Sequence, residues 1–431
     1  MKRFLWVTLA AILAAAAAPA ADRKPNIVLI LADDFGFECV RCNGGTSYQT
    51  PNLDALAASG VRFTHNYATP LCTPSRTQLM TGRYNFRNYV KFGEFDFKER
   101  TFAHVLKDAG YATCIAGKWQ LAGGLQAPHQ AGFDDYCLWQ FDPDTKGSRY
   151  ASPKVFRNGE PMTGLDGKYG PDVFCDHLCA FASKNKDRPF LLYWPEVLTH
   201  APYEPTPDSN RPKPAGKGKE ARKGAEAVKN FPDMVTYLDK VVGRLVAHLK
   251  TEGLWDNTLL VFTGDNGTGK GVSSVLNGKT VGGDKGNTTT LGTHTPLIVH
   301  WPGKAKAGRV CDDLVDFTDV LPTLAEAAGA DLPRGVTLDG RSFLPQVRGE
   351  AGSPRESIFC HYEPRHGNNN RKVRYAQDRR WKLYQGGKLY DLAADLDEVR
   401  PVTAESAEAK AARARLQAVL DRYEKEKAFG K

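Results

Sequence analysis

The stretch Asn26-Ile-Val-Leu-Ile-Leu-Ala32, running straight into Asp33-Asp34-Phe-Gly36, decides the fold. A continuous apolar run with β-branched members reads as a strand buried on both faces, and the polar residues behind it read as the turn that ends it. The design recurs downstream. Phe190-Leu-Leu-Tyr-Trp194 is a second such strand, Thr258-Leu-Leu-Val-Phe-Thr263 a third that ends in Gly264-Asp265-Asn266-Gly267, and Pro296-Leu-Ile-Val-His-Trp301 a fourth. Helical signals lie between them. Thr50 is placed to cap a helix opening with Pro51. Phe102 to Gly110 reads as a short helix stopped by glycine, with a strand over Tyr111 to Ala116 behind it. Met234, Val235, Tyr237, Leu238, Val241, Val242, Leu245, Val246 and Leu249 recur at helical spacing. Strands alternating with helices predict an α/β architecture with a large, mostly parallel central sheet flanked by helices. In such sheets ligands gather at the carboxyl ends of the strands.

From about Glu350 the pattern changes. Val373-Arg-Tyr-Ala376, Trp381-Lys-Leu-Tyr384 and Lys388-Leu-Tyr390 alternate as short strands, Gly386-Gly387 reads as a hairpin turn, and a charged helix spans about Ala404 to Lys427. This predicts a C-terminal α+β subdomain over 350–431, a small antiparallel sheet plus helix, behind a main domain over 22–349. Pro205 to Lys229, rich in Pro, Gly and Lys, reads as an exposed loop. At the other end, Met1-Lys2-Arg3 is basic, Phe4 to Ala18 is an apolar run of fifteen residues, and Ala18-Pro19-Ala20 carries the small residues a signal peptidase reads. Such a run is short of the ~20 residues a spanning helix needs. Residues 1–20 are therefore expected to be a signal peptide removed by signal peptidase. The mature chain is expected to lack a membrane span and to be periplasmic or secreted.

The chain has 431 residues, 41% of them hydrophobic and 25% charged, which excludes disordered, collagen-like and coiled-coil classes. The net charge is +9, or about +7 without Lys2 and Arg3. An excess this small does not point to nucleic acid and suits an anionic substrate. Nine cysteines are an odd number, so at least one stays outside any disulfide set. Cys39-Val-Arg-Cys42 and Cys175-Asp-His-Leu-Cys179 have spacings open to a metal or redox pair, but no second pair completes a site, and both read as structural thiols.

Asp33-Asp34 and Asp265-Asn266 each follow a buried strand directly. Carboxylates gathered at one end of a sheet repel each other unless a cation neutralises them. All four side chains are hard oxygen donors, which suit Ca2+ or Mg2+ rather than Zn2+. The same residues are also ordinary turn formers. Cys72-Thr-Pro74-Ser75-Arg76-Thr-Gln-Leu-Met-Thr81-Gly82 removes the ambiguity. It resembles, at every fixed position, the signature of the formylglycine-dependent type I sulfatases of the alkaline-phosphatase-like superfamily. Gly110-Tyr111-Ala-Thr113 with Gly117-Lys118-Trp119 is similar to the second family signature, and Gly132-Phe133-Asp134 and Tyr390-Asp391-Leu392 resemble further landmarks in the expected order.

The resemblance implies a fold, a cofactor and roles. Cys72 would be oxidised by a formylglycine-generating maturation enzyme to Cα-formylglycine. Its hydrate would attack the sulfur of a sulfate ester, and the resulting hemiacetal sulfate would eliminate sulfate without a second water. Asp33, Asp34, Asp265 and Asn266, with residue 72, would hold Ca2+, or Mg2+ as the alternative. Arg76 would hold the hydrate and the metal-side charges. Lys118 and Lys285 would bind sulfate oxygens as point charges. His200, in Thr199-His200-Ala-Pro202, would protonate the departing oxygen, since a sugar alkoxide is a poor leaving group.

The chain departs from the family at Gln120, where histidine usually follows Gly-Lys-Trp; glutamine can hydrogen-bond substrate but carries no proton at neutral pH. Thr290-Leu291-Gly292 and His294-Thr295-Pro296 are also altered, and Leu396 stands where proline is usual. His104, His129 and His294 read as structural. Tyr84, Asn85, Arg87, His361, Glu363, Arg365 and His366 are candidates for a sugar pocket. The expected function is an exported, exo-acting sulfatase of sulfated carbohydrate. Two alternatives are a phosphonate or phosphodiester hydrolase of the same superfamily and a binding protein for sulfated glycans whose Cys72 is never matured.

Overall fold

The structure, a computed structural model, describes residues 23–142, 145–210, 224–364 and 372–426. The expected signal peptide, Arg365, His366 and Lys427 lie outside these ranges, as do residues 211–223 of the expected loop. That loop also holds a short helix, Ala225–Val228, pinned by the buried Ala227.

One ten-stranded sheet dominates. Its strands are β1 (Asn26–Ala32), β2 (Val61–Tyr67), β3 (Ala112–Lys118), β4 (Asp135–Trp139), β5 (Val155–Arg157), β6 (Glu160–Pro161), β7 (Phe190–Pro195) and β8 (Thr258–Gly264). After a hairpin of β9 (Ser273–Leu276) and β10 (Lys279–Gly282) come β11 (Leu297–His300) and β12 (Arg309–Asp316). The order is β12-β2-β11-β8-β1-β7-β3-β4-β5-β6. β8, β1, β7, β3 and β4 form a parallel block at the centre. β11 and β5 run against the rest, so the sheet is mixed.

Strand β1 shows why the apolar run was needed. Alternate side chains point to opposite faces. Val28, Ile30 and Ala32 enter one core with Leu53, Phe174, Leu178, Val235 and Leu238, while Ile27, Leu29 and Leu31 enter the other with Leu79, Phe102, Leu321 and Leu324. Helices Pro51–Ser59, Gly170–Lys184 and Phe231–Thr251 thus cover one face, and Cys72–Thr81, Phe102–Asp108 and Val320–Ala328 the other. Thr50 does not cap its helix through its side chain. Its Oγ1 accepts instead from the Arg41 backbone N–H (3.1 Å), tying down the preceding loop.

The last strands, β13 (Ile358–Tyr362), β14 (Val373–Gln377), β15 (Trp381–Tyr384) and β16 (Leu389–Asp391), form a separate four-stranded antiparallel sheet. Helix Ala407–Glu424 covers it with Ala412, Leu416 and Leu420. A buried polar tie joins this sheet to the loop after β10. Lys382 Nζ meets Glu398 Oε1 (3.0 Å) and the Thr288 carbonyl, and Glu398 Oε1 accepts from Thr290 N (2.6 Å). All nine cysteines are free. Cys39 packs its Sγ against Thr268 Oγ1 (3.3 Å) and Cys175 directs its Sγ to the Val241 carbonyl (3.7 Å). Among the described residues no helix is long and apolar enough to cross a membrane.

Candidate active site

Register puts the two acidic doublets side by side. β1 and β8 are parallel with Ala32 opposite Gly264, so Asp33-Asp34 and Asp265-Asn266 leave the sheet at the same level. They touch: Asp34 N donates to Asp265 Oδ1 (2.9 Å) and Asn266 Nδ2 to Asp34 Oδ1 (2.9 Å). β7 and β3 lie next in the parallel block. Lys118 closes β3, and the chain after β7 returns to β1, where Thr199 N donates to Asp33 O (2.6 Å), one residue before His200.

Cys72 enters from the other side, in the first turn of helix Cys72–Thr81 and buried. Its Sγ and one carboxylate oxygen each of Asp33 and Asp265 lie within 4.8 Å of one another. The signature residues around it have structural work. Pro74 occupies the first turn, where a backbone N–H has no intrahelical partner to lose. Ser75 Oγ exchanges hydrogen bonds with Thr69 N and O (3.0 Å each), fixing the approach to Cys72. Arg76, fully enclosed, donates to the Trp119 carbonyl and to the Lys118 carbonyl (3.1 Å), and so locks this helix to the end of β3.

The charges are close and mostly dry. Lys118 Nζ reaches both Asp33 oxygens (2.9 and 2.8 Å), and Lys285 Nζ reaches Asp34 Oδ1 (2.5 Å). Burial is the largest influence on the Asp33 carboxyl and pushes it up, but Lys118, His200 and Lys285 together hold the group below its usual range. Burial and then the neighbouring Asp33 push Asp265 well up. Of the three packed carboxylates, Asp265 makes no ion pair among the described residues. Asn266 spends its amide on Asp34 and Gly267, which leaves its wholly buried Oδ1 without a partner. An orphaned carbonyl oxygen beside crowded carboxylates fits a hard cation.

Asp33 is 1% exposed, whereas the side chains of Lys285 and His200 are 18% and 20% exposed, so the site opens on their side. His200 Nδ1 faces the Ala201 carbonyl and its Nε2 lies 3.7 Å from Asp34 Oδ2. This assigns the resting proton to Nδ1 and leaves Nε2 to the site. Burial, then Lys285, hold its pKa well below that of free histidine.

Gln120 adopts a left-handed backbone (φ 45°) at the end of β3 and is tied twice to Gln140, backbone N to O (2.8 Å) and Nε2 to Oε1 (3.2 Å). Gln120→Ala is expected to slow turnover roughly tenfold, the worth of one hydrogen bond. An unchanged kcat would remove Gln120 from the reaction.

Several expected residues stand elsewhere. Tyr84 is buried in an aromatic cluster with Phe359 and Tyr423, and Asn85 is buried too. Arg87 pairs with Asp339 (2.8 Å) and Glu426 (2.6 Å). His361 is buried against Arg374 (2.9 Å) and lies 3.6 Å from Glu363. His104 completes the Thr101 capping box, His129 bonds the Phe133 carbonyl (2.8 Å), and His294 bonds the Thr64 carbonyl (2.8 Å) while stacking on Phe37. Sequence reasoning missed Arg149. Its Nη1 lies 3.4 Å from Asp33 Oδ2, and its guanidinium stacks over Trp139 at 3.9 Å. The signal was present but unread: Arg149 follows β4, whose carboxyl end must face the site because β4 runs parallel to β3.

The family model described as Sulfatase matches residues 25–330, and that described as N-sulphoglucosamine sulphohydrolase, C-terminal, matches residues 284–426. Arylsulfatase A of Homo sapiens is 35% identical over 430 residues, covering 89% of this chain and 80% of that protein. N-acetylgalactosamine-6-sulfatase of Canis lupus familiaris is 33% identical over 389 residues, covering 80% of this chain and 70% of that protein. Among solved structures, Ps i-CgsB in complex with k-i-k-neocarrahexaose has a TM-score of 0.78 at 27% identity and covers 94% of each chain.

Proposed function

The chain belongs to the sulfatase family and is a hydrolase of sulfate esters; from that premise we propose that it removes sulfate from a carbohydrate, in an exo-acting mode, through the hydrated formylglycine made from Cys72. The observation that carries the reading is the meeting of Cys72 with Asp33 and Asp265 inside 4.8 Å, ringed by Lys118 and Lys285. A carbohydrate substrate is supported by two relatives, one named for N-acetylgalactosamine and one bound to neocarrahexaose. Export to the periplasm or medium rests on residues 1–20 alone.

In this reading Asp33, Asp34, Asp265 and Asn266 hold the divalent cation, Ca2+ or Mg2+. Once bound, it lowers the pKa of the attacking hydroxyl and screens sulfate charge. Lys118 and Lys285, whose ammonium groups lie among these carboxylates, take the sulfate oxygens. Arg76 does not reach for substrate; its hydrogen bonds to the carbonyls of Lys118 and Trp119 keep residue 72 and Lys118 in one frame. His200 presents Nε2 on the open side and protonates the departing oxygen. Burial first and Lys285 second keep His200 neutral, and a bound anion would offset the Lys285 part and favour proton uptake at Nε2.

His200→Ala tests the assignment. It is expected to cost about 10^3-fold on a sugar sulfate and less than about tenfold on nitrophenyl sulfate, whose leaving group needs no proton. Equal losses on both substrates would exclude the role. The function itself is tested on protein matured in its own host. Nitrophenyl sulfate should be cleaved faster than a phenylphosphonate ester, and sulfated mono- and disaccharides should release sulfate. A faster phosphonate reaction would move the chain to phosphonate hydrolysis. An intact thiol at Cys72 with no turnover would leave a binding protein for sulfated glycans.

A further inference from the structure

We infer that Arg149 reads a second anionic group on the substrate, a carboxylate or a further sulfate ester, carried by the sugar that leaves. The inference rests on the carbohydrate sulfatase reading and extends it to the substrate's charge.

The site carries surplus positive charge. Arg76, Lys118, Arg149 and Lys285 bring four positive charges against the three carboxylates of Asp33, Asp34 and Asp265, and Arg76 meets only the backbone carbonyls of Lys118 and Trp119. Asp33 is already held at both oxygens by Lys118, so the 3.4 Å contact from Arg149 Nη1 adds little to it. Nε and Nη2 of Arg149 make no hydrogen bond among the described residues. A guanidinium carries five donors in a planar fork matched to carboxylate and sulfate oxygens. Here most of that fork is unused at the edge of a catalytic centre. A divalent cation among the carboxylates would make the centre still more positive than one sulfate monoester, with a single negative charge, can balance.

Arg149 is held in place by more than its charge. Its plane lies on Trp139 (3.9 Å), whose Nε1 donates to the Gly147 carbonyl (3.0 Å). A Cβ on Gly170 would fall 1.9 Å from the Arg149 carbonyl oxygen, so only glycine lets these two segments close, with Gly170 N donating to Tyr150 O (2.8 Å). Tyr150 donates its hydroxyl to the Val197 carbonyl (2.8 Å) and also lies within reach of the His200 carbonyl. Tyr150, next to the arginine in the chain, therefore braces the backbone of the proposed proton donor. A group fixed beside His200 borders the leaving sugar rather than the sulfur.

Arg149→Met keeps an unbranched apolar side chain beside Trp139 but removes the charge and the fork, and Arg149→Lys returns the charge without the fork. The enzyme is assayed with nitrophenyl sulfate, a monosulfated hexose, a disulfated hexose and a monosulfated uronate. The native protein should favour one or both doubly anionic sugars, and which one identifies the second group. Arg149→Met should lower kcat/KM for the favoured sugar roughly thirtyfold, mainly through KM, and erase the preference over the monosulfated hexose. Arg149→Lys should recover part of it. Calorimetric titration of the same sugars into Cys72→Ala protein, with and without Arg149→Met, reads the preference without turnover. Equal affinity for singly and doubly anionic sugars, or a preference that survives Arg149→Met, overturns the inference. Absence of sulfate release from every ester would instead overturn the sulfatase reading, with the titration still deciding Arg149.

Discussion

Cys72→Ala is expected to abolish turnover of every sulfate ester, a loss of at least about 10^4-fold, while the protein stays folded. The loss follows from where the residue sits. Cys72 opens a ten-residue helix whose every member is buried, and it faces Asp33 and Asp265. The other groups at this spot are engaged, Lys118 with Asp33, and Lys285 and Asn266 with Asp34, so none stands ready to replace residue 72 in forming the bond to sulfur. The fold should survive, because trimming one buried sulfur costs on the order of 1 kcal/mol. Turnover of nitrophenyl sulfate and a thermal melt check both halves. In the native protein the peptide carrying residue 72 should weigh about 18 Da less than its thiol form, the mark of the aldehyde. A Cys72→Ala rate within a hundredfold of native would end the assignment.

Lys118→Met is the second large effect, and it separates folding from chemistry. Lys118 and Asp33 form a two-oxygen ion pair with side chains only 2% and 1% exposed. Removing the ammonium leaves a buried carboxylate with only the long Arg149 contact, which costs up to about 3–5 kcal/mol. This is to be measured by denaturant unfolding in the presence of a chelator, so that no cation takes the lysine's place. Turnover in metal-replete buffer should fall about 10^3-fold, since a charge aimed at developing negative charge is lost. Adding Asp33→Asn should recover most of the stability, because the orphan charge is gone, and none of the rate. Recovery of rate in the double variant would reduce Lys118 to a counter-ion for Asp33.

What the sequence made legible follows from burial. The central strands β1, β7 and β8 are enclosed on both faces and so announce themselves as unbroken apolar runs. Their polar sequels had to lie at one edge, which is how the doublets were found. Edge and half-buried strands hid. β2 mixes Arg62, Thr64 and His65 among its apolar residues, and β12 carries Asp312 and Asp313 at a bulge. Helix Cys72–Thr81 hid for the opposite reason: all ten residues are buried, so a largely polar segment shows no apolar stripe. Several of its polar side chains find partners within the fold, as with Thr77 Oγ1 on the Thr73 carbonyl (3.0 Å) and Gln78 on Asp316 (2.6 Å). Arg149 was missed with β4, because a strand unread takes its carboxyl-end loop with it.

The Lys382–Glu398 tie bears on how such a protein can diversify. Glu398 grips Thr290 N, and the neighbouring Tyr362 hydroxyl bonds the carbonyl of Gly286, the residue after Lys285. The terminal sheet therefore helps shape the very loop that carries Lys285. Grafting the tail of one homologue onto the body of another would import a mismatched clasp, and reactivity would suffer before specificity changed. Lineages that exchange sugars should alter the exposed rim and inherit the clasp as a unit.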